Sequence, residues 1–232
     1  MSASTLEQRR TEIEAYFDRT AMAAWARLTS TEKLGHIRAT VRAGRDRMRE
    51  SLLAMLPDAL DTARVLDAGS GTGALAVALA DRGAEVTAAE HSPALSALAR
   101  QRAGGIRRGN IRFFVGDMND PATGRFTHVV AMDSLIHYTP DDLVRMLAGF
   151  AARTDTSILF TFAPRTRLLA IMHRAGKLFP RSDRSPAIEP VAEARLRHLL
   201  GTDPRLAGFR VARTFRVESG FYISQAMELL RQ

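Results

Sequence analysis

The stretch VLDAGSGTG, Val65–Gly73, constrains the fold more than any other part of the chain. A short apolar segment, Ala63–Ala68, runs directly into glycines at 69, 71 and 73. Glycines at a strand end let the backbone turn sharply and approach a ligand where a Cβ would collide. Such a loop belongs between the first strand and the following helix of a parallel, doubly wound sheet.

The rest of the chain keeps that rhythm. Ala74–Arg82 reads as a helix stopped by Gly83, Glu85–Glu90 as the second strand, Pro93–Arg102 as a helix and Ile111–Gly116 as the third strand. Phe126–Asp133, Asp141–Ala152 and Ser157–Phe162 read as strand, helix and strand. Strands alternating with helices at this spacing predict a sheet covered on both faces. Ahead of it, residues 1–60 read as helical, with apolar residues at helical spacing up to Leu56 and Pro57. Beyond Phe162 the rhythm breaks into the basic, proline-punctuated Ala163–Pro190. Then come a helix over Ala192–Leu200 and two strands, Phe209–Val217 and Gly220–Leu230, joined at Glu218-Ser219.

Composition narrows the function. The chain has no cysteine, which excludes a disulfide framework, a zinc-thiolate site and a cysteine nucleophile. No Cys/His cluster points to a protein metal site. No apolar run approaches the ~18–20 residues of a membrane span. The start MSASTLEQRR lacks a signal peptide's apolar core, so a cytoplasmic location is expected. The net charge is +8, and all but Lys33 and Lys177 of the 33 basic residues are arginine. That excess admits nucleic acid, anionic lipid or an anionic small molecule, or plain coding bias, because net charge speaks to partners and not to fold.

The glycine spacing is G-x-G-x-G with Asp67 two residues ahead, whereas the dinucleotide fingerprint would put its third glycine at Ala74. It resembles the first motif of class I S-adenosylmethionine-dependent methyltransferases. The resemblance implies a cofactor site of Asp67, Gly69, Ser70, Gly71 and Gly73, with Glu90 and His91 at the ribose. It also implies Asp117 and Met118 at the adenine and Met132-Asp133 beside the methionyl part. Acids at three successive strand ends set this apart from a chance glycine turn. Nucleic-acid amino-methyltransferases carry (Asp/Asn)-Pro-Pro-(Tyr/Phe) after the fourth strand. Here that place reads DSLIHY, Asp133–Tyr138, so basic charge alone does not make this a nucleic-acid enzyme.

A closer resemblance lies in EAYFDRTAMAAWARL (Glu14–Leu28), HIRATVRAGR (His36–Arg45), LIHY (Leu135–Tyr138), FAPRT (Phe162–Thr166) and LFPRSDRSPAIEP (Leu178–Pro190). Together they resemble the magnesium-protoporphyrin IX O-methyltransferase family over nearly the whole chain. The fold so implied is α/β: a Rossmann-like class I methyltransferase with a seven-stranded, mostly parallel sheet, helices on both faces and an antiparallel last strand. Residues 1–60 would be an N-terminal helical arm and 61–232 the S-adenosylmethionine-binding domain, with 163–200 a substrate cap after the fifth strand.

The implied reaction methylates the ring C propionate of Mg-protoporphyrin IX from S-adenosylmethionine. The products are the monomethyl ester of (bacterio)chlorophyll biosynthesis and S-adenosylhomocysteine, and magnesium enters only as part of the porphyrin. The family places Tyr16 and His137 at the reacting centre and Arg42 and Gly44 near the cofactor. A propionate with a pKa near the ~4.3 of Glu is already an anionic nucleophile at neutral pH. His137 therefore reads chiefly as a positioning hydrogen-bonder. Trp25, Leu168, Met172 and Phe179 are candidates for the porphyrin wall, and Arg165 and Arg181 for its carboxylates. The resemblance also implies hand-off from the magnesium chelatase's large porphyrin-binding subunit, and the basic, apolar cap allows peripheral contact with a photosynthetic inner membrane. The alternatives are an O-methyltransferase for another apolar acid or quinol, and a non-catalytic porphyrin carrier.

Overall fold

The computed structural model describes residues 36–105, 108–165 and 188–232. The alternating pattern is realised as one seven-stranded sheet in the order β3-β2-β1-β4-β5-β7-β6. Its strands are β1 (Arg64–Ala68), β2 (Glu85–Glu90), β3 (Asn110–Val115), β4 (Phe126–Ala131), β5 (Thr154–Phe162), β6 (Phe209–Ser219) and β7 (Tyr222–Arg231). The described helices are α1 (His36–Ala54), α2 (Ala74–Asp81), α3 (Pro93–Arg102), α4 (Pro140–Ala151) and α5 (Glu193–Thr202). The first five strands are parallel, and β7 runs antiparallel to both β5 and β6. Strand order reverses between β1 and β4, which stay parallel, and the crevice above that point is where ligands bind in such sheets.

Alternation along the strands fills a core on each face. Leu66, Ala68, Val129, Ala131, Ile158 and Phe160 meet α4 and α5 on one side. Val65, Val86, Ala88, Val130 and Leu159 meet α1 and α2 on the other. Local signals set the helix starts. Ser92 Oγ accepts from Leu95 N at 3.2 Å with Pro93 in the first turn of α3. Thr139 caps α4 by accepting from Asp142 N at 3.3 Å and donating to Asp142 Oδ2 at 2.9 Å.

Three expectations shift. Met48, Leu52, Leu53, Leu56 and Leu60 are buried against the sheet, so residues 36–60 form a wall of the core rather than a separable arm. The remainder of the expected arm, 1–35, lies outside the described residues, as does most of the expected cap, 166–187. The last hairpin turns at Gly220-Phe221, not at Glu218-Ser219, with Ser219 paired to Tyr222. Gly220 has φ +57, and a two-residue turn with glycine first and positive matches the twist of the flanking strands. Finally, β4 stops at Ala131, two residues short of Asp133, whose φ of +54 takes the chain out of the extended region.

Candidate active site

A cavity of about 530 Å³ opens at the carboxyl ends of β1, β2 and β4. Its wall includes Asp67, Gly69, Ser70, Gly71, Glu90, His91, Asp117, Met118, Met132, Asp133, His137 and Tyr138, together with Arg42 and Arg45 from α1. The loop after β1 is tied to β2, because Gly69 N and Ser70 N both donate to the Ala89 carbonyl, at 2.9 and 3.0 Å. Gly69 has φ +79, and a Cβ there would come within 2.4 Å of Ser134 Cβ, so the close approach of the two loops demands glycine. Around Gly71 the space where a Cβ would stand is open.

The acids differ in how they are held. Glu90 Oε2 accepts from Gly71 N at 2.8 Å and Oε1 from Ser92 N at 3.0 Å, so this carboxylate shapes the glycine loop as well as facing the cavity. Burial raises its pKa, and those backbone N–H groups oppose the rise. Asp67 is only 1% exposed, and its Oδ2 has no protein partner. Burial and the nearby Glu90 charge push its pKa up to about 7, against the Ala76 N–H, which lowers it. Ser70 Oγ is likewise buried without a partner. Buried polar atoms left unsatisfied in a cavity wall are groups that a ligand can satisfy. Asp117 Oδ1 accepts from Asn119 N at 2.9 Å, which fixes the turn beyond β3.

Asp133 occupies a more crowded position than its place after β4 suggested. Its carboxylate accepts from Arg45 Nη1 at 2.8 Å, from the Tyr222 hydroxyl at 3.0 and 3.1 Å, from Thr161 Oγ1 at 3.2 Å and from Ser224 Oγ at 3.3 Å. Its own N–H donates to Thr161 Oγ1 at 2.7 Å. It joins α1, β5 and β7 beneath the cavity, and Arg45, Thr161, Tyr222 and Ser224 all escaped the sequence reading. Positive φ at a non-glycine residue is costly and persists only where the surroundings over-determine it, as they do here.

His137 and Tyr138 are both buried at the cavity, on the single helical turn Leu135–His137 and its C-terminal cap. The chain that returns from the expected cap is bound to this turn, since Glu189 N donates to the Ile136 carbonyl at 2.9 Å. Its two ends are closed against each other by Arg165 N to Val191 O at 3.0 Å and Val191 N to Ala163 O at 2.9 Å. Thus the described chain up to residue 165 and that from residue 188 are joined through Val191, and the latter is bonded to the turn that carries His137.

Not every expected residue lines the cavity. Gly44 packs on Tyr222, where a Cβ would lie 2.6 Å from Cδ1, so its smallness lets α1 approach β7. Gly73 packs on Ala99 at the start of α2. Arg165 is exposed at the end of β5, away from the cavity lining. Tyr16, Trp25, Leu168, Met172, Phe179 and Arg181 lie outside the described residues. Among the described residues, no group of three or more His, Cys, Asp or Glu side chains could hold a metal ion.

Comparison with known proteins agrees with this geometry. Residues 131–231 match the family model described as magnesium-protoporphyrin IX methyltransferase C-terminus, and residues 65–155 match a methyltransferase domain. The chain is 49% identical to the magnesium-protoporphyrin O-methyltransferase of Rhodobacter capsulatus, across 94% of this chain and 95% of that protein. It is 29% identical to the enzyme of the same name from Synechocystis, over 96% of each chain. The crystal structure of magnesium protoporphyrin IX methyltransferase from Synechocystis with bound S-adenosylhomocysteine superposes with a TM-score of 0.84 at 28% identity. That match covers 96% of this chain and all of the other.

Proposed function

Because the chain belongs to the magnesium-protoporphyrin O-methyltransferase family, we propose that it methylates a propionate carboxylate of Mg-protoporphyrin IX, that of ring C, with S-adenosylmethionine as donor. The observation that carries this reading is the gathering of the glycine loop, Glu90, Asp117-Met118 and His137-Tyr138 in the wall of one cavity.

The residues present fit the cofactor. Glu90, at the end of β2, would take the ribose hydroxyls, and Asp117 with Met118 the adenine, all three lining the cavity. Asp67 Oδ2 and Ser70 Oγ supply buried polar atoms in need of a partner. Arg42, Met132 and His91 complete the wall. When bound, S-adenosylmethionine supplies a methyl group made electrophilic by its sulfonium.

On the acceptor side the propionate is ionised at neutral pH, so the protein need not remove a proton. What remains is orientation, short approach and water exclusion, each of which lowers the barrier of an in-line displacement. A carboxylate oxygen takes the methyl carbon as the carbon–sulfur bond breaks, and the electron pair leaves with the sulfur of S-adenosylhomocysteine. His137, on its short helical turn at the cavity, would hold that carboxylate together with Tyr16. Residues 163–200 would cover the macrocycle, with Trp25, Leu168, Met172 and Phe179 on its apolar face. Arg165 and Arg181 would pair with the non-reacting propionate, since an arginine clamped on the reacting one would blunt its nucleophilicity. The bond from Glu189 N to the Ile136 carbonyl, beside His137, supports this placement.

The same reading includes delivery of the substrate by the large porphyrin-binding subunit of magnesium chelatase, and peripheral contact with a membrane through the basic, apolar cap. No helix among the described residues is long and apolar enough to cross one.

The experiment is incubation of the purified chain with methyl-labelled S-adenosylmethionine and Mg-protoporphyrin IX. The expected products are a monomethyl ester and S-adenosylhomocysteine in equal amounts. Porphyrin binding without ester formation, or transfer only to a quinol or another apolar acid, overturns the reading.

A further inference from the structure

Arg153, between α4 and β5, is 8% exposed, and its guanidinium lies beneath the loop that follows β3. Nη1 donates to the carbonyls of Asp120 at 3.0 Å and Gly124 at 3.1 Å, and to the Thr123 hydroxyl. Nη2 donates to the Met118 carbonyl at 3.1 Å and to Asn119 Oδ1 at 3.5 Å. The Phe126 ring lies 5.7 Å from Cζ. A buried guanidinium is tolerated only when its N–H groups are satisfied, and here the partners are almost all carbonyls of one loop. A planar fork can reach acceptors spread from Met118 to Gly124 at once, and an ammonium cannot.

The loop is fixed from a second side. Asn119 Nδ2 donates to the Met146 carbonyl of α4 at 3.1 Å. Gly149 makes room for that side chain, since a Cβ there would come within 2.3 Å of Asn119 Nδ2. The residues at the head of this loop, Asp117 and Met118, are the ones that line the cavity. Arg153 itself does not line it. It therefore touches the site only through the loop.

We propose that Arg153 is a positioning residue for the purine end of the cofactor site. By holding the Met118 carbonyl and the chain from Asn119 to Gly124, it sets where Asp117 and Met118 stand, and so sets the preference for a purine bearing an exocyclic amino group. The proposal rests on the assignment of Asp117 and Met118 to the adenine made above. An arginine that merely stabilised the fold would alter thermal stability and leave purine selectivity untouched.

The test is calorimetric titration of the full chain with S-adenosylhomocysteine and with its inosine counterpart, which carries a carbonyl in place of the amino group. Arg153→Met should weaken S-adenosylhomocysteine binding by ~10-fold or more, and the inosine compound by much less, so the preference shrinks. The KM for S-adenosylmethionine should rise in parallel while kcat at saturation stays within ~2-fold. Arg153→Lys should recover part of the preference. Should Arg153→Met fail to fold, Asn119→Ala loosens the same loop and should move the preference in the same direction by ~3-fold. Unchanged affinity and selectivity in a folded Arg153→Met chain, or in Asn119→Ala where that variant stands in, overturns the proposal alone. Failure of the unsubstituted chain to bind S-adenosylhomocysteine overturns the cofactor reading and the proposal with it.

Discussion

Arg45 Nη1 lies 2.8 Å from Asp133 Oδ2, an ion pair between the first described helix and the chain just beyond β4, 88 residues away. The Asp133 side chain is 5% exposed and that of Arg45 25%, so the carboxylate depends on the pair more than the guanidinium does. Removing Arg45 leaves a buried charge supported only by hydroxyl donors, from Tyr222, Thr161 and Ser224. Arg45→Ala should cost roughly 2–3 kcal/mol in urea unfolding, below the full penalty for a buried pair because Arg45 is partly solvated. Adding Asp133→Asn should recover part of that loss, giving a positive coupling in the double-mutant cycle. Strict additivity would mean that the pair carries no interaction energy.

Tyr222 shares this anchor. Burial and the Asp133 charge raise its phenol pKa above the ordinary value, with Arg45 opposing. The phenol should therefore stay protonated in the folded chain where free tyrosine ionises. Absorbance titration at alkaline pH should show a tyrosine ionisation released only with unfolding, and Tyr222→Phe should diminish that late step. The loss of its hydrogen bonds to a carboxylate should cost about 1.5–3 kcal/mol.

Asp67 gives the chain a pH signature. Its folded pKa of about 7 lies above the ordinary aspartate value of 3.8, so between those values the folded state binds more protons than the unfolded state. The stabilising contribution is complete below pH ~4 and is lost as pH rises through 7. Asp67→Asn should remove this loss, amounting to a few kcal/mol between pH 4 and 8. The check is urea unfolding of both proteins, free of cofactor, across that range. In Glu90→Gln the same transition should move to lower pH, because the Glu90 charge is one cause of the Asp67 shift. Parallel stability profiles for Asp67→Asn and the parent would assign the carboxyl an ordinary pKa.

These positions show what could be read from the sequence and what could not. The glycine loop, Glu90 and Asp117 were legible because each follows its strand at a fixed short distance, and the topology then brings strand ends together without further information. Helices α2 to α4 were legible from their alternation with strands and, for α2, from the stop at Gly83, since such signals act within one turn. Arg45, Tyr222 and Arg153 were not. Each acts on a partner far away in sequence, and among so many arginines nothing local marks those that are committed to loops beside the cavity. The hairpin was misplaced by two residues because Glu218-Ser219 looks polar, whereas the positive φ at Gly220 decides the turn. Gly44 read from its motif as near the cofactor; it does not line the cavity, and its lack of a side chain leaves space for Tyr222.

Glu90 holds the glycine loop through Gly71 N and Ser92 N while it faces the cavity. Glu90→Ala would therefore deform the loop as well as delete the ribose contact, and its effect would mix the two. Glu90→Gln keeps the volume and one of the two backbone acceptors while removing the charge, so it is the milder probe. It should weaken S-adenosylhomocysteine binding by 1.5–3 kcal/mol, roughly 10- to 150-fold. Glu90→Ala should lose more and should lower thermal stability as well. Equal effects of the two substitutions would mean that the backbone contacts of Glu90 contribute nothing to the loop.

His137 separates binding from chemistry. It is buried on the turn to which the end of the cap segment is bonded through Ile136, and it lines the same cavity as Glu90. If it orients a carboxylate that is already ionised, its loss removes alignment and leaves the electrophile in place. His137→Ala should then lower kcat by ~10-fold or more while S-adenosylhomocysteine affinity changes little. Between pH 6 and 8, kcat of the parent chain should be flat, because a positioning donor need not titrate and the acceptor carries its charge throughout. A kcat that rises along a histidine titration and flattens in His137→Gln would assign the residue the role of general base. Glutamine can still donate to a carboxylate, so His137→Gln should retain more turnover than His137→Ala if positioning is the role. Tyr16→Phe supplies the matching test on the N-terminal side: if its hydroxyl joins His137 at the carboxylate, the two substitutions together should lower kcat by less than the product of their separate effects.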